Sequence, residues 1–114
     1  MKFLHHEMPL EARKAEMLKI IMKYPDRVPV YLQSTSPDIT ILKNKLLVDK
    51  SHTVGQLMYS IRSKLCISSD KAIFLLDEDG HMPMTSQLIS DLYRNKKNID
   101  GCMYLSVSVE STFG

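Results

Sequence analysis

The segment Lys45-Leu46-Leu47-Val48-Asp49-Lys50-Ser51-His52-Thr53-Val54-Gly55-Gln56-Leu57-Met58-Tyr59-Ser60-Ile61-Arg62 changes its hydrophobic period half-way along. Its first part, Lys45 to Val48, is a short apolar run of strand type. Thr53 and Gln56 then stand at capping-box spacing. The threonine side chain can accept a backbone N–H of the first turn while the glutamine reaches back to the cap. Val54, Leu57, Met58, Ile61 and, further on, Leu65 recur at helical spacing. A strand that feeds directly into an amphipathic helix predicts an α+β fold.

Towards the N-terminus, Val28 to Gln33 reads as a second strand, in which Pro29 predicts an edge position or a gap in pairing. A helix is expected from about Pro9 to Lys23, ended by Tyr24-Pro25-Asp26 because a residue before proline avoids helical geometry. At about 100° per residue, Leu10, Met17, Leu18 and Ile21 gather on one face. Ile20 falls off that stripe beside Glu16, the place of a partly packed residue at the edge of the core face or of one lining the wall of a groove. Towards the C-terminus come a strand at Ala72 to Leu76 and the acidic turn Asp77-Glu78-Asp79-Gly80. A short helix capped by Ser86 follows, carrying Leu88, Ile89 and Leu92. Met103, Leu105, Val107 and Val109 alternate with Tyr104, Ser106 and Ser108, which predicts a strand with two distinct faces. No repeat or linker interrupts this order, so residues 1–114 are expected to form one domain, a mixed sheet with a helix across its face.

Composition narrows the function. Hydrophobic residues make up 44% of the chain, enough for an ordinary core and too many for a disordered segment. No apolar run approaches the roughly 20 residues that span a bilayer, and Met1 to His6 lacks the features of a secretory signal, so a cytosolic or nuclear home is expected. A formal charge of +2 is too small to predict nucleic acid as the partner. Cys66 and Cys102 are far apart and outside any CxxC or Cys/His spacing, which predicts two reduced thiols and no metal. The histidines are scattered, and the adjacent His5 and His6 lie at a terminus expected to be mobile. Asp77, Glu78 and Asp79 lack the spacing of a calcium loop and predict a solvated hairpin turn. Cys66 with His52 or His81 as base is the nucleophile arrangement to consider, and nothing else in the sequence supports it. A non-enzymatic chain without catalytic residue, metal or cofactor is the expectation.

Three stretches together go beyond generic fold reading: Lys23-Tyr24-Pro25-Asp26-Arg27-Val28-Pro29-Val30, the block from Lys45 through Arg62, and the ending Glu110-Ser111-Thr112-Phe113-Gly114. With Met1-Lys2-Phe3 at the start, the chain resembles the autophagy ubiquitin-like modifiers, the group of the GABA-receptor-associated protein and light chain 3. The resemblance implies a ubiquitin-like β-grasp with additional N-terminal helices. It divides the chain into a helical extension over about 1–24, a core over 25–109 and a conjugation tail over 110–114. It also implies that the Gly114 carboxylate is joined to the amine of phosphatidylethanolamine, with Phe113 recognised alongside it. Activating and conjugating enzymes supply the thioester chemistry, and a cysteine protease processes or delipidates the tail. The modifier is then cytoplasmic, and on the autophagosome membrane when lipidated.

The second implied property is the binding of autophagy receptors through aromatic-x-x-aliphatic peptides added to the exposed edge of the strand at Lys45 to Val48. By position, the aromatic pocket comprises Glu16, Ile20, Pro29, Lys45, Leu47 and Cys102. The second pocket comprises Leu46, Val48, Leu57, Ser60 and Ile61, while Arg27, Lys43 and Lys45 attract acidic residues of the peptide. Cys102 stands where relatives commonly carry an aromatic, Ser60 where they carry an apolar residue and Asp49 where they carry proline. The space at Cys102 would take a larger ligand anchor or be filled by Met17, Met22 or Met103. Two rival readings are an unconjugated interaction module for trafficking or microtubule-associated proteins, and a sulfur carrier. Phe113 argues against the carrier, which usually ends in two glycines.

Overall fold

Two sets of apolar residues on opposite faces of one sheet organise this chain. The computed structural model describes residues 3–36 and 39–111. A 3-10 turn, Leu4–Glu7, leads into α1, Leu10–Lys23. Then follow β1 (Arg27–Ser34), β2 (Thr40–Ile41), β3 (Lys45–Asp49), α2 (Val54–Arg62), β4 (Leu65–Cys66), β5 (Lys71–Leu76), α3 (Ile89–Lys96) and β6 (Met103–Ser111). The main sheet runs β3-β1-β6-β5, with β1 and β6 parallel in the middle and antiparallel pairs on either side. This is the ubiquitin-like β-grasp with N-terminal helices. The short β2–β4 ladder, which the sequence did not predict, stands apart from the main sheet.

Pro29 does not mark an edge, since β1 has neighbours on both sides. The Leu32 N–H points to the β3 side, where it donates to the Asn44 carbonyl at 2.7 Å. Backbone groups alternate along a strand, so the Pro29 nitrogen faces β6. It lies one residue before that ladder begins at Val30 and Met103, where a missing donor costs nothing.

The capping box of α2 is present, with Gln56 N–H donating to the Thr53 hydroxyl and Thr53 N–H donating to the Gln56 side chain. Val54, Leu57 and Ile61 are buried against the sheet together with Val30, Leu32, Met103, Leu105 and Val107. Leu65 lies beyond the helix, in β4, and joins the same core. Ser86 does not cap α3. Leu88 occupies the cap without a side-chain bond, and the first free N–H groups, of Ile89 and Ser90, donate to the carbonyls of His52 and Lys50. Backbone from the approach to α2 replaces the cap that a side chain would have supplied.

The two faces of β6 are distinct, as expected, and the face opposite the main core is covered too. Tyr104 is buried because Phe3 and Met17, from the N-terminal segment and α1, pack over it. The second cluster joins Phe3, Met17, Cys102 and Tyr104, flanked by Ile20, Ile21 and Tyr31. The buried side of α1 is therefore centred on Met17, and Leu18, about 100° further round the helix, is 59% exposed rather than part of the stripe. The terminus expected to be mobile is packed: His5 is buried and stacked on Tyr31, with ring centroids 5.0 Å apart.

Gly101 sets the approach of α1 to the sheet. Its φ is +93°, and a Cβ there would lie 3.3 Å from the Met17 Cβ. The Tyr93 hydroxyl donates to its carbonyl at 2.6 Å. Gly101→Ala is expected to cost about 1–3 kcal/mol through backbone strain and crowding of Met17. Urea denaturation followed by circular dichroism measures it, and a variant as stable as the parent would contradict this account of the turn.

Candidate functional site

The sheet order leaves β3 at an edge, so its outer backbone groups face away from β1. Alternation along β3 buries Leu46 and Val48 under α2, while Lys45 and Leu47 are exposed on the side of α1. Two depressions adjoin this strand. The first, of about 380 Å³, lies between α1 and β3, and Glu16, Ile20, Pro29, Lys45, Leu47 and Cys102 all line it. The second, of about 520 Å³, lies between β3 and α2 and is lined by Leu46, Val48, Leu57 and Ser60. Ile61 does not line it. This side chain is fully buried in the core, one turn on from Leu57 and turned towards the sheet.

The basic residues divide between the depressions. Lys43 and Lys45 border the first and Arg27 the second. Lys64 borders both, a placement no local sequence pattern announces. Lys45 Nζ lies 3.4 Å from Glu16 Oε1, a surface ion pair that links α1 to the edge strand across the first depression. Such pairs contribute little to stability. Asp49 accepts bonds from the N–H and hydroxyl of Ser51, which hold its carboxyl below the usual range and close the turn after β3 without proline.

A buried polar network reaches the first depression through His5 and Cys102. Arg13 donates to Asp100 Oδ2 at 2.7 Å, and the Tyr104 hydroxyl donates to the same oxygen. The other oxygen, Oδ1, accepts the Cys102 N–H at 2.8 Å. Nδ1 of His5 lies 2.7 Å from the Tyr104 oxygen, and His5 and Tyr31 join the lining of the depression. Burial, and then the bond to Asp100, push the Tyr104 hydroxyl well above the usual tyrosine range. Burial likewise raises the Cys102 thiol, which stays protonated and unreactive. Of the methionines able to fill the space beside Cys102, Met17 does so. Met22 is 73% exposed, and Met103 belongs to the core on the other face.

The acidic turn is not wholly solvated. Asp77 is buried, and its Oδ1 accepts the N–H groups of Asp79 and His81. Ligand atoms of Asp77, Asp79 and His81 lie within 4.8 Å of one another, but Lys96 Nζ sits 3.3 Å from Asp77 and 3.0 Å from Asp79 and meets their charge. Cys66 is an exposed free thiol. Phe113 and Gly114 lie outside the described residues.

The family model described as "Autophagy protein Atg8 ubiquitin like" matches residues 12–114. The chain belongs to the Atg8 family. It is 42% identical over 113 residues to autophagy-related protein 8d of Arabidopsis thaliana, a match covering 96% of this chain and 92% of that relative. It is 44% identical over 110 residues to autophagy-related protein 8 of Coccidioides immitis, covering 95% and 93%. Among solved structures, Trypanosoma brucei ATG8 superposes with a TM-score of 0.88 at 27% identity and full coverage of both chains. Plasmodium falciparum Atg8, solved in complex with a Plasmodium falciparum Atg3 peptide, gives 0.83 at 30% identity, covering 97% of this chain and 98% of that one. The present chain is thus an Atg8-type autophagy protein of ubiquitin-like fold, and among its described residues no helix is long and apolar enough to cross a membrane.

Proposed function

We propose that this Atg8-family protein is a modifier rather than an enzyme, conjugated through the Gly114 carboxylate to phosphatidylethanolamine. The activated form is a thioester on the conjugating enzyme. The lipid amine attacks its carbonyl carbon, an amide forms, and the enzyme's thiol leaves. The modifier supplies only the acyl group, with residues 110–114 as its tail. The bound lipid carries an otherwise cytoplasmic protein to the autophagosome membrane, and a cysteine protease reverses the bond.

On the membrane, the surface beside β3 recruits receptors with aromatic-x-x-aliphatic peptides. The single observation that carries this reading is the free edge of β3 flanked by two depressions. An extended peptide adds main-chain bonds to that edge, and side chains three positions apart, which alternation sends to opposite faces of the strand, reach the two depressions. The aromatic anchor enters between Ile20, Leu47 and Cys102, and the aliphatic one lies against Leu46, Val48 and Leu57. The Plasmodium falciparum relative was solved with an Atg3 peptide, which makes a peptide of the conjugating enzyme a candidate ligand here.

Leu47, opposite Pro29 in the register and 37% exposed, is the test position. Leu47→Ala is expected to weaken such a peptide by about 1–3 kcal/mol through lost apolar contact. Lys45→Glu sets a carboxylate beside Glu16 and against acidic peptide flanks, so its effect should shrink as salt rises. Calorimetry on variants with unchanged circular dichroism reads both, and full affinity in the pair would remove peptide binding from this surface.

A further inference from the structure

The first depression is bordered by a buried acceptor that no group among the described residues uses. The Tyr104 hydroxyl hydrogen is committed to Asp100, itself paired with Arg13, so the Tyr104 oxygen can only accept from His5. Nδ1 of His5 is therefore the protonated nitrogen of the neutral ring, and Nε2 carries a lone pair. Among the described residues no hydrogen-bond partner reaches that Nε2. Its nearest charged neighbour, Glu16 Oε2 at 3.7 Å, is itself an acceptor and beyond hydrogen-bond length. The imidazole cannot turn away, because Tyr31 stacks on one side and Tyr104 holds Nδ1. The His5 side chain is only 3% exposed, yet His5 and Glu16 both line the depression.

We infer that His5 is a specificity-determining residue of the groove, whose Nε2 selects a peptide anchor that carries an N–H donor, an indole, over an apolar ring of the same size. The inference rests on the peptide-binding reading above. A buried acceptor left unpaired is costly, so a ligand that satisfies it gains over one that merely covers it. The indole is the aromatic side chain that combines a large apolar surface with an N–H donor and no acceptor. Placed between His5 Nε2 and Glu16, that donor meets two acceptors whose lone pairs otherwise face each other.

The same arrangement makes the selection depend on pH. Protonated His5 would donate from Nε2 to Glu16 and cease to be an acceptor. The groups that face it are Glu16 from α1, Lys45 from β3, Tyr31 from β1, and Tyr104 with Asp100 behind it. Burial lowers the His5 pKa below the usual histidine value, against the pull of Glu16, so the neutral ring is the resting form at neutral pH. Indole preference is then complete above that lowered value and fades as pH falls through it.

The test uses two peptides identical except that the anchor is tryptophan or 3-benzothienylalanine, which replaces the indole N–H by sulfur at nearly constant shape. Calorimetry with the full chain is expected to give the tryptophan peptide an advantage of about tenfold near pH 7.5. The advantage should fall towards unity at acid pH, once the imidazole protonates. His5→Phe should bind both peptides alike at either pH. An undiminished tryptophan advantage in His5→Phe would assign the acceptor to Glu16 alone and overturn the inference. So would a pH-independent advantage in the unmodified protein, a measurement that needs no variant to fold. Weak binding of both peptides by the unmodified protein at every pH would instead overturn the groove reading itself, and the role of His5 with it.

Discussion

Gly114→Ala is expected to reduce conjugation to phosphatidylethanolamine to a small fraction of the parent's rate. A glycine at the reacting carbonyl leaves the carbon open on both sides and lets the tail adopt backbone angles closed to other residues. Alanine adds a methyl group beside the carbon that must pass between two enzyme thiols before the lipid amine reaches it. The expected loss is about 100-fold, since a misplacement of about an ångström at a reacting centre suffices for that. Purified activating and conjugating enzymes with phosphatidylethanolamine liposomes report the product as a gel shift. The fold and the groove should be untouched, so peptide affinity serves as the internal control. Equal lipidation of parent and variant would leave Gly114 without the role proposed here, whatever the groove binds.

The sequence carried most of the frame because the relevant signals are local. The capping box at Thr53 and Gln56, the period of Val54, Leu57 and Ile61, and the breaker at Tyr24-Pro25 each act within a turn or two of chain, and each reappears in the structure. What the sequence left hidden is long-range. That Tyr104 is buried depends on a helix about 90 residues earlier folding over the sheet, and no alternation within β6 can report it. The cap of α3 is supplied by carbonyls of residues 50 and 52, for which Ser86 was a reasonable local substitute. The same limit governs the site. Glu16, Ile20, Pro29, Lys45, Leu47 and Cys102 were named from a family resemblance, and the structure gathers them around one depression. His5 escaped notice because a histidine near a terminus has no period or partner spacing to mark it. The one available signal was Phe3, whose large apolar ring would not be left in water at no cost.

Covering the second face of the sheet also explains why a polar network exists there at all. α1 forms a wall of the first depression, and beside the apolar contacts of Phe3 and Met17 a network of Arg13, Asp100, Tyr104 and His5 ties it to the sheet. Apolar contacts alone could hold it there, but they would not fix the direction of His5 Nε2 or the height of Glu16. Hydrogen bonds do so because each bond restricts angle as well as distance.

Asp100 is the residue on which that network turns, and its removal is expected to be the most damaging single change to stability considered. The carboxylate is fully buried, whereas the Arg13 side chain keeps 12% of its exposure. Asp100→Ala would strand the Arg13 guanidinium, the Tyr104 hydroxyl and the Cys102 N–H at once. Breaking one side of a buried ion pair costs about 3–5 kcal/mol, chiefly because a charge is left without its counterpart. Asp100→Asn keeps an oxygen for one of these donors but removes the charge, and should cost roughly half as much. Combining Asp100→Asn with Arg13→Met removes both charges and replaces the guanidinium by an apolar chain. Such replacement is often neutral, so the double variant should recover to within about 1–2 kcal/mol of the parent. Urea unfolding of the parent and the three variants measures the series. A double variant no better than Asp100→Asn would mean that the hydrogen bonds, rather than the paired charges, hold α1 to the sheet. An Asp100→Ala protein within about 1 kcal/mol of the parent would mean that water replaces the carboxylate, and that the buried network described here is not closed.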